Sequence, residues 1–199
     1  MAKIFCIANQ KGGVGKTTTA VNLAAGLIAQ KQRVLLVDLD PQGNATMGSG
    51  VNKAELENSV YQVLIGTALA SQALLHASAA GYSVLPANRD LAGAEVELVD
   101  LDNREMRLKL ALNEIEEQFD FILIDCPPAL SLLTLNGLCA ADGVVVPMQC
   151  EYFALEGLSD LVNTIKQVHA NLNPGLKIIG LLRVMFDARV TLQQQVSEQ

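Results

Sequence analysis

The sequence predicts an α/β fold with a mainly parallel sheet, helices on both faces of the sheet, and a P-loop NTPase-like arrangement. Strand-length apolar runs alternate with helical patterns along the chain, and a glycine-rich segment at residues 11–18 separates the first strand from the first helix. Aspartates also close two of the predicted strands. Such alternation is typical of βαβ units and parallel sheets. Uninterrupted apolar runs, such as residues 34–37, indicate strands covered on both faces.

The predicted elements fill the 199 residues as one domain. Strands are predicted at residues 4–8, 34–38, 82–86, 121–125, 144–148 and 177–185. Helices are predicted at residues 16–30, 56–65, 71–77, 104–119, 130–139 and 155–171. A last helix begins at residues 191–196, with no cap or closing strand after it. We therefore expect a single domain over residues 1–199 that lacks its C-terminal portion.

Composition excludes several classes of protein. The longest apolar runs have the length of strands, which argues against a membrane span, and Met1 enters a strand too directly for a signal peptide. Four cysteines without a CxxC pair indicate reduced core thiols in a cytoplasmic protein rather than a metal site. A formal charge of −7 argues against a globally basic nucleic-acid binder but permits a local basic patch.

The segment KGGVGKTT at residues 11–18 predicts a phosphate-binding loop between a strand and a helix. Glycines let the backbone approach phosphates closely, and the following helix adds the positive end of its dipole. Lys16 would reach the β- and γ-phosphates, and the Thr17 hydroxyl would ligate Mg²⁺. The alternative is a glycine-rich turn without a ligand. The residues assigned to the nucleotide are Gln10, Lys11, Gly12, Gly13, Val14, Gly15, Lys16, Thr17 and Thr18.

Lys11 is an additional cation in this loop. The usual motif has glycine five residues before Gly15, where this chain has Gln10. Lys16 already serves the phosphates of its own subunit, so Lys11 has no evident work there. One interpretation is a solvated surface lysine. The other is that Lys11 reaches the nucleotide of a second subunit, as an arginine finger does when supplied in trans.

Aspartates at the carboxyl ends of strands project into the crevice where open α/β sheets bind ligands. Asp125 is predicted to hold Mg²⁺ opposite Thr17, the alternative being a capping aspartate. In an extended segment Asp38 and Asp40 would share one face and point toward the phosphates. We assign Asp40 to orienting the attacking water. We assign Asp38 to the groups that surround the direct ligands of the metal. Asp40 as the residue that initiates the turn before Pro41 is the alternative.

Together these motifs resemble a ParA/Soj-type chromosome or plasmid partition ATPase, within the deviant Walker A class that includes the Min septum-site ATPase. The most specific segments are 9–19 (NQKGGVGKTTT) and 38–46 (DLDPQGNAT). Segments 91–98 (LAGAEVEL), 125–128 (DCPP) and 149–158 (QCEYFALEGL) narrow the resemblance to the partition branch. The resemblance runs nearly end to end.

The resemblance implies an ATP- and Mg²⁺-dependent cycle. ATP would form a sandwich dimer in which Lys11 of each subunit touches the other's phosphates, Gly12 lies at the dimer contact and Glu151 approaches the opposite nucleotide. The dimer would bind nonspecific DNA, and a ParB-type centromere-binding partner would stimulate weak hydrolysis that requires Asp40. Arg189 is the DNA-contact candidate, with Arg183 the weaker one. The expected location is cytoplasmic and nucleoid-associated, without stable membrane association.

The chain departs from this pattern at two places. Val184 stands where relatives often have threonine near the adenine, and the relatives' final segment with its Pro-Arg-Asn-Val-Arg run is missing. Two other functions compete with partition. A Min-type membrane-cycling ATPase would need a C-terminal amphipathic helix. A metabolic enzyme on the same fold would need a small-molecule pocket, as in a dethiobiotin-synthetase-like ligase, or the cluster cysteines of a nitrogenase iron protein.

Overall fold

The structure, a computed structural model, describes residues 1–151 and 154–198. Seven strands form one sheet in the order β3-β4-β2-β5-β1-β6-β7. Every neighbouring pair is parallel except β3 and β4, which confirms the mainly parallel sheet. The strands are β1 (Lys3–Ile7), β2 (Val34–Asp38), β3 (Leu75–Ala77), β4 (Tyr82–Leu85), β5 (Phe121–Asp125), β6 (Gly143–Gln149) and β7 (Lys177–Val184).

Helices connect the strands and cover the sheet. They are α1 (Lys16–Ala29), α2 (Asn44–Gly48), α3 (Val60–Ile65), α4 (Ala70–Ala73), α5 (Leu91–Glu97), α6 (Arg107–Asn113), α7 (Leu132–Ala140), α8 (Ala154–Asn171) and α9 (Thr191–Glu198). Two 3₁₀ turns follow α5 and α6, at Leu98–Asp100 and Glu116–Gln118. Among the described residues, no helix has the length and apolar character needed to cross a bilayer.

The prediction of a helix at residues 71–77 is wrong for the second half of that segment. Only Ala70–Ala73 is helical, and Leu75–Ala77 forms the antiparallel edge strand β3 against β4. The turn between them ends at Gly81, whose φ of 77° suits glycine. Pairing with β4 therefore overrides the helix propensity of this alanine-rich segment.

Three other helical segments differ from their predicted extents. The helix expected from residue 56 begins at Val60, because Ser59 and Gln62 form a reciprocal capping box at its start. The helix expected over residues 104–119 consists of α6 and a separate 3₁₀ turn. Helix α5 was not predicted, since its seven residues are too few for a clear helical period.

The core lies on both faces of the central strands. All five residues of β2 are buried, and apolar residues of β1, β2, β4 and β5 contribute to both of the core clusters. The four cysteines are buried and carry free thiols. The edge strand β7 differs, because Ile178, Ile179, Leu181 and Leu182 are all exposed. The interior of the sheet is thus well covered, while β7 is open on both faces.

The strand order determines where functional residues meet. β1 lies between β5 and β6, and β5 lies between β1 and β2. Within the ladders, Asp125 is in register with Ile7 on one side and with Asp38 on the other. The loops that follow β1, β2, β5 and β6 therefore meet at one edge of the sheet, where α/β proteins of this kind bind ligands.

Candidate functional site

The loop after β1 has the conformation that its glycines permit. Gly13 and Gly15 have φ values of 73° and 77°, in the left-handed region that disfavours residues with a Cβ. Gly15 is the N-cap of α1, and no side chain caps the helix. The first amides of α1 therefore have no side-chain acceptor and can bind an anion. Val14 is buried and anchors the loop between the two glycines.

Gly12 is different, because this chain alone does not require a glycine there. Its φ lies outside the left-handed region, and a Cβ built on it would meet no atom within 4 Å. Gly12 is also exposed. A need for glycine at this position would therefore come from something outside the single chain.

The Lys16 side chain folds back across the loop. Its Nζ donates a hydrogen bond to the Lys11 carbonyl oxygen at 2.9 Å, and the residue is only 7% exposed. Burial lowers the pKa of Lys16, while the negative charges of Asp125 and Asp40 act in the opposite direction. The ammonium thus already lies within the cradle, close to the acidic residues that face it.

Thr17 and Asp125 form the predicted metal-binding pair. The Thr17 hydroxyl donates to Asp125 Oδ2 at 2.7 Å, whereas the buried Asp125 Oδ1 has no hydrogen-bond partner. Burial raises the pKa of Asp125 to about 7, and the nearby charges of Asp38 and Asp40 add to this effect. A buried carboxylate oxygen without a partner fits a bound cation.

The chemistry of Asp125 and Thr17 fits Mg²⁺, because both side chains offer oxygen atoms. No three His, Cys, Asp or Glu side chains converge on a metal position in residues 1–151 and 154–198. A cation at this site would be held by one carboxylate oxygen and one hydroxyl oxygen of the chain. Mg²⁺ is usually bound in this way, through one or two protein oxygens.

The expectation that Asp38 and Asp40 both point toward the phosphates is wrong for Asp38. Asp38 is completely buried, and its Oδ2 accepts hydrogen bonds from the Thr46 amide and hydroxyl, both at 2.8 Å. Its Oδ1 accepts from the Asp40 amide at 3.1 Å. Burial raises the pKa of Asp38 to about 6, although these hydrogen bonds favour the charged form. Asp38 therefore braces the start of α2 beside Asp125.

Asp40 lines the cavity at the mouth of the loop. Its Oδ1 accepts a hydrogen bond from the Gln42 amide at 2.9 Å, so Asp40 also initiates the turn that follows it. The two interpretations of this residue are compatible. The cavity has a volume of about 340 Å³. Its lining residues are Gly12, Gly13, Gly15, Lys16, Thr17, Thr18, Asp40, Asn44, Pro128 and Met185.

Lys11 lies outside the cradle that holds Lys16. Its Nζ is 2.5 Å from Glu151 Oε2, and both side chains are partly exposed. The Lys11 amide donates to Asn9 Oδ1 at 3.0 Å, and Asn9 Nδ2 donates to the Pro147 carbonyl oxygen at 2.7 Å. Asn9 thus connects the loop to β6. This connecting role was not assigned to Asn9 from the sequence. The position of Asn9 just after the first strand was the signal that could have indicated it.

Other predicted residues have less distinct environments. Gln10 Nε2 is buried without a hydrogen-bond partner. Arg189 forms a double ion pair with Asp187, with Nη2 at 2.7 Å from Oδ2, and its side chain is 90% exposed. Arg183 stacks on the Phe186 ring, with 4.7 Å between the guanidinium carbon and the ring centroid. Residues 152 and 153 of the segment 149–158 lie outside the described residues.

The fold and the loop define the class of protein. The family described as "AAA domain" matches residues 2–178, and the chain belongs to this family of P-loop ATPases. An uncharacterized protein of Pseudomonas putida is 63% identical over all of this chain and 76% of its own length. The chromosome partitioning protein ParA of Myxococcus xanthus is 54% identical over all of this chain and 70% of its own length. The sporulation initiation inhibitor protein Soj of Bacillus subtilis is 53% identical over all of this chain and 79% of its own length. The chain belongs to the ParA/Soj family of chromosome-partitioning ATPases.

Solved structures agree with the family and the fold. A Mycobacterium smegmatis protein named cobyrinic acid a,c-diamide synthase, with bound ADP and magnesium, is 46% identical with a TM-score of 0.95. The match covers all of this chain and 80% of that one, and the same protein has been solved with an ATP analogue and magnesium. A plasmid partition protein from Borrelia burgdorferi matches at 27% identity and a TM-score of 0.84, covering 99% and 84% of the two chains. ATP and Mg²⁺ are the cofactors of this family.

Proposed function

We propose that the chain is a DNA-partitioning ATPase whose ATP-bound sandwich dimer binds nonspecific DNA. Hydrolysis, stimulated by a ParB-type partner, would release the DNA and so segregate a chromosome or plasmid. The observation that carries the proposal is the division of labour between two lysines. Lys16 lies inside the phosphate cradle, whereas Lys11 is directed out of it toward Glu151. This outward position supports the assignment of Lys11 to the nucleotide of a second subunit.

Within one subunit, the loop would bind the triphosphate through backbone amides and the Lys16 ammonium. Thr17 and Asp125 would hold Mg²⁺, which when bound neutralises charge on the β- and γ-phosphate oxygens. Asp38 would not contact the metal directly, because its oxygens already accept hydrogen bonds from Thr46 and Asp40. Its role is to fix the segment that carries Asp40.

Hydrolysis requires a water molecule in line with the γ-phosphorus. Asp40 lines the cavity opposite the loop, and one of its oxygens is fixed by the Gln42 amide. We assign the carboxylate of Asp40 to orienting that water. Positioning and electrostatics supply most of the catalysis in phosphoryl transfer, so an orienting carboxylate is sufficient. We also propose that intrinsic turnover is slow and rises with DNA and the partner protein.

The dimer contact would be built around the rim of the cavity. Gly12 is exposed and has free space around its Cα, so the backbone of a second subunit can approach there. Lys11 and Glu151 are the charged residues of the same rim. In the dimer we assign Lys11 to the partner's phosphates and Glu151 to the neighbourhood of the partner's nucleotide.

The proposed DNA contact must overcome the formal charge of −7. Two subunits would have to place their basic residues on one face. Arg189 remains the candidate, because its side chain is 90% exposed, although a phosphate would have to displace Asp187 from it. Nonspecific binding of this kind consists mostly of phosphate neutralisation and should fall steeply with salt. The proposed location is cytoplasmic, over the nucleoid.

The partition role is better supported than the alternatives. Two relatives named as chromosome-partitioning proteins, at 54% and 53% identity, outweigh the enzyme name of the mycobacterial structure at 46%. For a Min-type membrane cycle, a helix that binds anionic lipid needs basic residues on its polar face. The last described helix, α9, has none in its sequence TLQQQVSE. Helix α9 therefore gives no support to a membrane cycle.

The test is co-sedimentation with plasmid DNA, and in parallel with anionic liposomes, in the presence of ATP, ADP or no nucleotide. We expect retention on DNA with ATP and Mg²⁺ only, and its loss at raised salt. Arg189→Ala should weaken retention, while Arg33→Ala should not, although Arg33 forms a comparable ion pair with Asp120 at 2.8 Å. Retention on liposomes instead of DNA would favour the membrane-cycling function. Retention on DNA that does not depend on the nucleotide would contradict the proposal.

A further inference from the structure

Asp40 lies in the short turn that connects β2 to α2. The Gly43 amide donates a hydrogen bond to the Asp40 carbonyl oxygen at 2.8 Å, which closes the turn. Within the turn, the Gln42 amide donates to Asp40 Oδ1 at 2.9 Å. The backbone of Gln42 therefore helps to set the direction in which the Asp40 carboxylate points.

Two neighbouring groups approach this turn at Gly43. A Cβ built on Gly43 would lie 2.7 Å from the Ala87 carbonyl oxygen and 2.9 Å from Lys53 Cδ. Ala87 is buried and belongs to the fixed interior, since its amide donates to Thr46 Oγ1 at 2.9 Å. The Lys53 side chain can cross the turn this closely only because Gly43 has no Cβ.

The Lys53 side chain ends on the residue that orients Asp40. Its Nζ donates a hydrogen bond to the Gln42 carbonyl oxygen. In the part of the chain that the structure describes, this ammonium group forms no ion pair. Gln42 thus accepts from Lys53 through its carbonyl oxygen and donates to Asp40 through its amide.

The backbone that carries Lys53 is itself held in a turn. The Ala54 amide donates to Asn52 Oδ1, and the Glu55 amide donates to the Asn52 carbonyl oxygen, both at 3.2 Å. Asn52 Nδ2 also donates to Glu55 Oε1 at 2.7 Å. Lys53 therefore extends from a fixed segment, and its half-buried side chain can act as a brace for Gln42.

We propose that Lys53 is a positioning residue for hydrolysis, which fixes the Gln42 backbone and through it the Asp40 carboxylate. This inference rests on the proposed function, because it deepens the assignment of Asp40 to the attacking water. A hydrogen bond from an ammonium group is charge-assisted and stronger than one between neutral groups. Lys53 is not among the described residues that line the cavity, so it acts through Gln42 and does not contact the nucleotide.

The test compares Lys53→Met with Lys109→Met. Methionine keeps an unbranched stem across Gly43 but removes the donor to Gln42. Phosphate release at saturating ATP and Mg²⁺ should fall by about tenfold, less than for a full displacement of Asp40, because the Gly43 amide still closes the turn. Calorimetry should show unchanged affinity for ADP and for a non-hydrolysable ATP analogue, since the loop and Lys16 are intact.

Lys109→Met is the matched control, because it removes the same charge from another half-buried lysine, on α6. It should leave turnover and both affinities unchanged, and the urea midpoints of the two methionine variants should be similar. Lys53→Arg provides the rescue. A guanidinium also donates to a carbonyl oxygen, so turnover of this variant should lie within about threefold of that of the unaltered protein.

The possible results separate this inference from the proposed function. Unchanged turnover of Lys53→Met would overturn the inference and leave the proposed function standing. A loss of nucleotide affinity, a much lower urea midpoint or a failure of Lys53→Arg to restore turnover would also overturn it, because the role of Lys53 would then be a different one. If the unaltered protein hydrolysed ATP but did not bind DNA, the proposed function would fail and the inference would be decided by the variants. If the unaltered protein did not hydrolyse ATP, both would fail.

Discussion

Lys11 and Glu151 form an ion pair of 2.5 Å across the rim of the cavity, between the loop after β1 and the end of β6. Their side chains are 38% and 53% exposed, so the pair contributes only about 0–1 kcal/mol to stability. An interaction of this size orients the Lys11 side chain but is weak enough to be replaced by another anion. The phosphates of a second subunit, with several negative charges, can therefore replace Glu151 as the partner of Lys11.

The first prediction concerns Glu151→Gln. Since the pair is weak and exposed, the free energy of unfolding of the variant should lie within about 1 kcal/mol of that of the unaltered protein. The variant should also bind ADP equally well. ATP-dependent dimers should form as readily or up to about fivefold more tightly, because Lys11 no longer has a competing partner. Sedimentation velocity and urea unfolding measure these quantities. A loss of monomer stability above about 2 kcal/mol would show that the pair has a structural role instead.

The second prediction uses two glycines with opposite environments. Gly12→Ala should fold normally, since its Cβ would meet no atom within 4 Å, but it should fail to dimerise with ATP. Gly43→Ala should destabilise the fold by about 1–3 kcal/mol. Its Cβ would lie 2.7 Å from the Ala87 carbonyl oxygen, and its φ is 62°. Thermal unfolding and sedimentation measure both effects, and normal dimers of Gly12→Ala would remove Gly12 from the interface.

The third prediction separates hydrolysis from binding. Asp40→Ala should keep ATP affinity and ATP-dependent dimers, because the phosphates are bound by the loop and Lys16. Turnover measured by phosphate release should be abolished, since no carboxylate orients the water. Asp40→Asn is the control for shape and should also be inactive. Normal hydrolysis by either variant would show that the assignment of Asp40 is wrong.

The fourth prediction concerns pH and Asp125, whose pKa is raised to about 7 by burial. The folded protein holds this proton more tightly than the unfolded chain, so the contribution of Asp125 to stability is greatest at low pH. It is lost as the pH rises toward 7. Without nucleotide and metal, the free energy of unfolding should fall by about 2 kcal/mol between pH 5 and pH 7.5 relative to Asp125→Asn. If the free energies of unfolding of the two proteins, measured in urea, changed equally with pH, the raised pKa of Asp125 would not be the cause.

The sequence was sufficient for the central elements of the fold, because those elements have strong local signals. β2 and β5 are continuous apolar runs buried in the middle of the sheet, and the glycine loop marks the start of α1. At the periphery local signals are weak. Residues 75–77 join the sheet only because β4 offers an unpaired edge, which no pattern within those three residues indicates.

The candidate site was also only partly predictable. The spacing of Asp38 and Asp40 suggested two carboxylates that face the phosphates. In the structure the Asp38 carboxylate instead accepts hydrogen bonds from Thr46, eight residues after Asp38. The pairing of Lys11 with Glu151 joins residues 140 positions apart, and it follows from the adjacency of β1 and β6 rather than from any motif. Contacts of this kind depend on the assembled sheet.

The central claim is that one triphosphate is shared between two copies of the chain through Lys11. Sedimentation velocity with ATP and Mg²⁺ tests it most directly, using Asp40→Ala to prevent hydrolysis and the Lys11→Ala/Asp40→Ala double variant for comparison. We expect dimers of the single variant and monomers of the double variant, with equal ATP affinity measured by calorimetry. Dimers of equal strength in both proteins would contradict the claim.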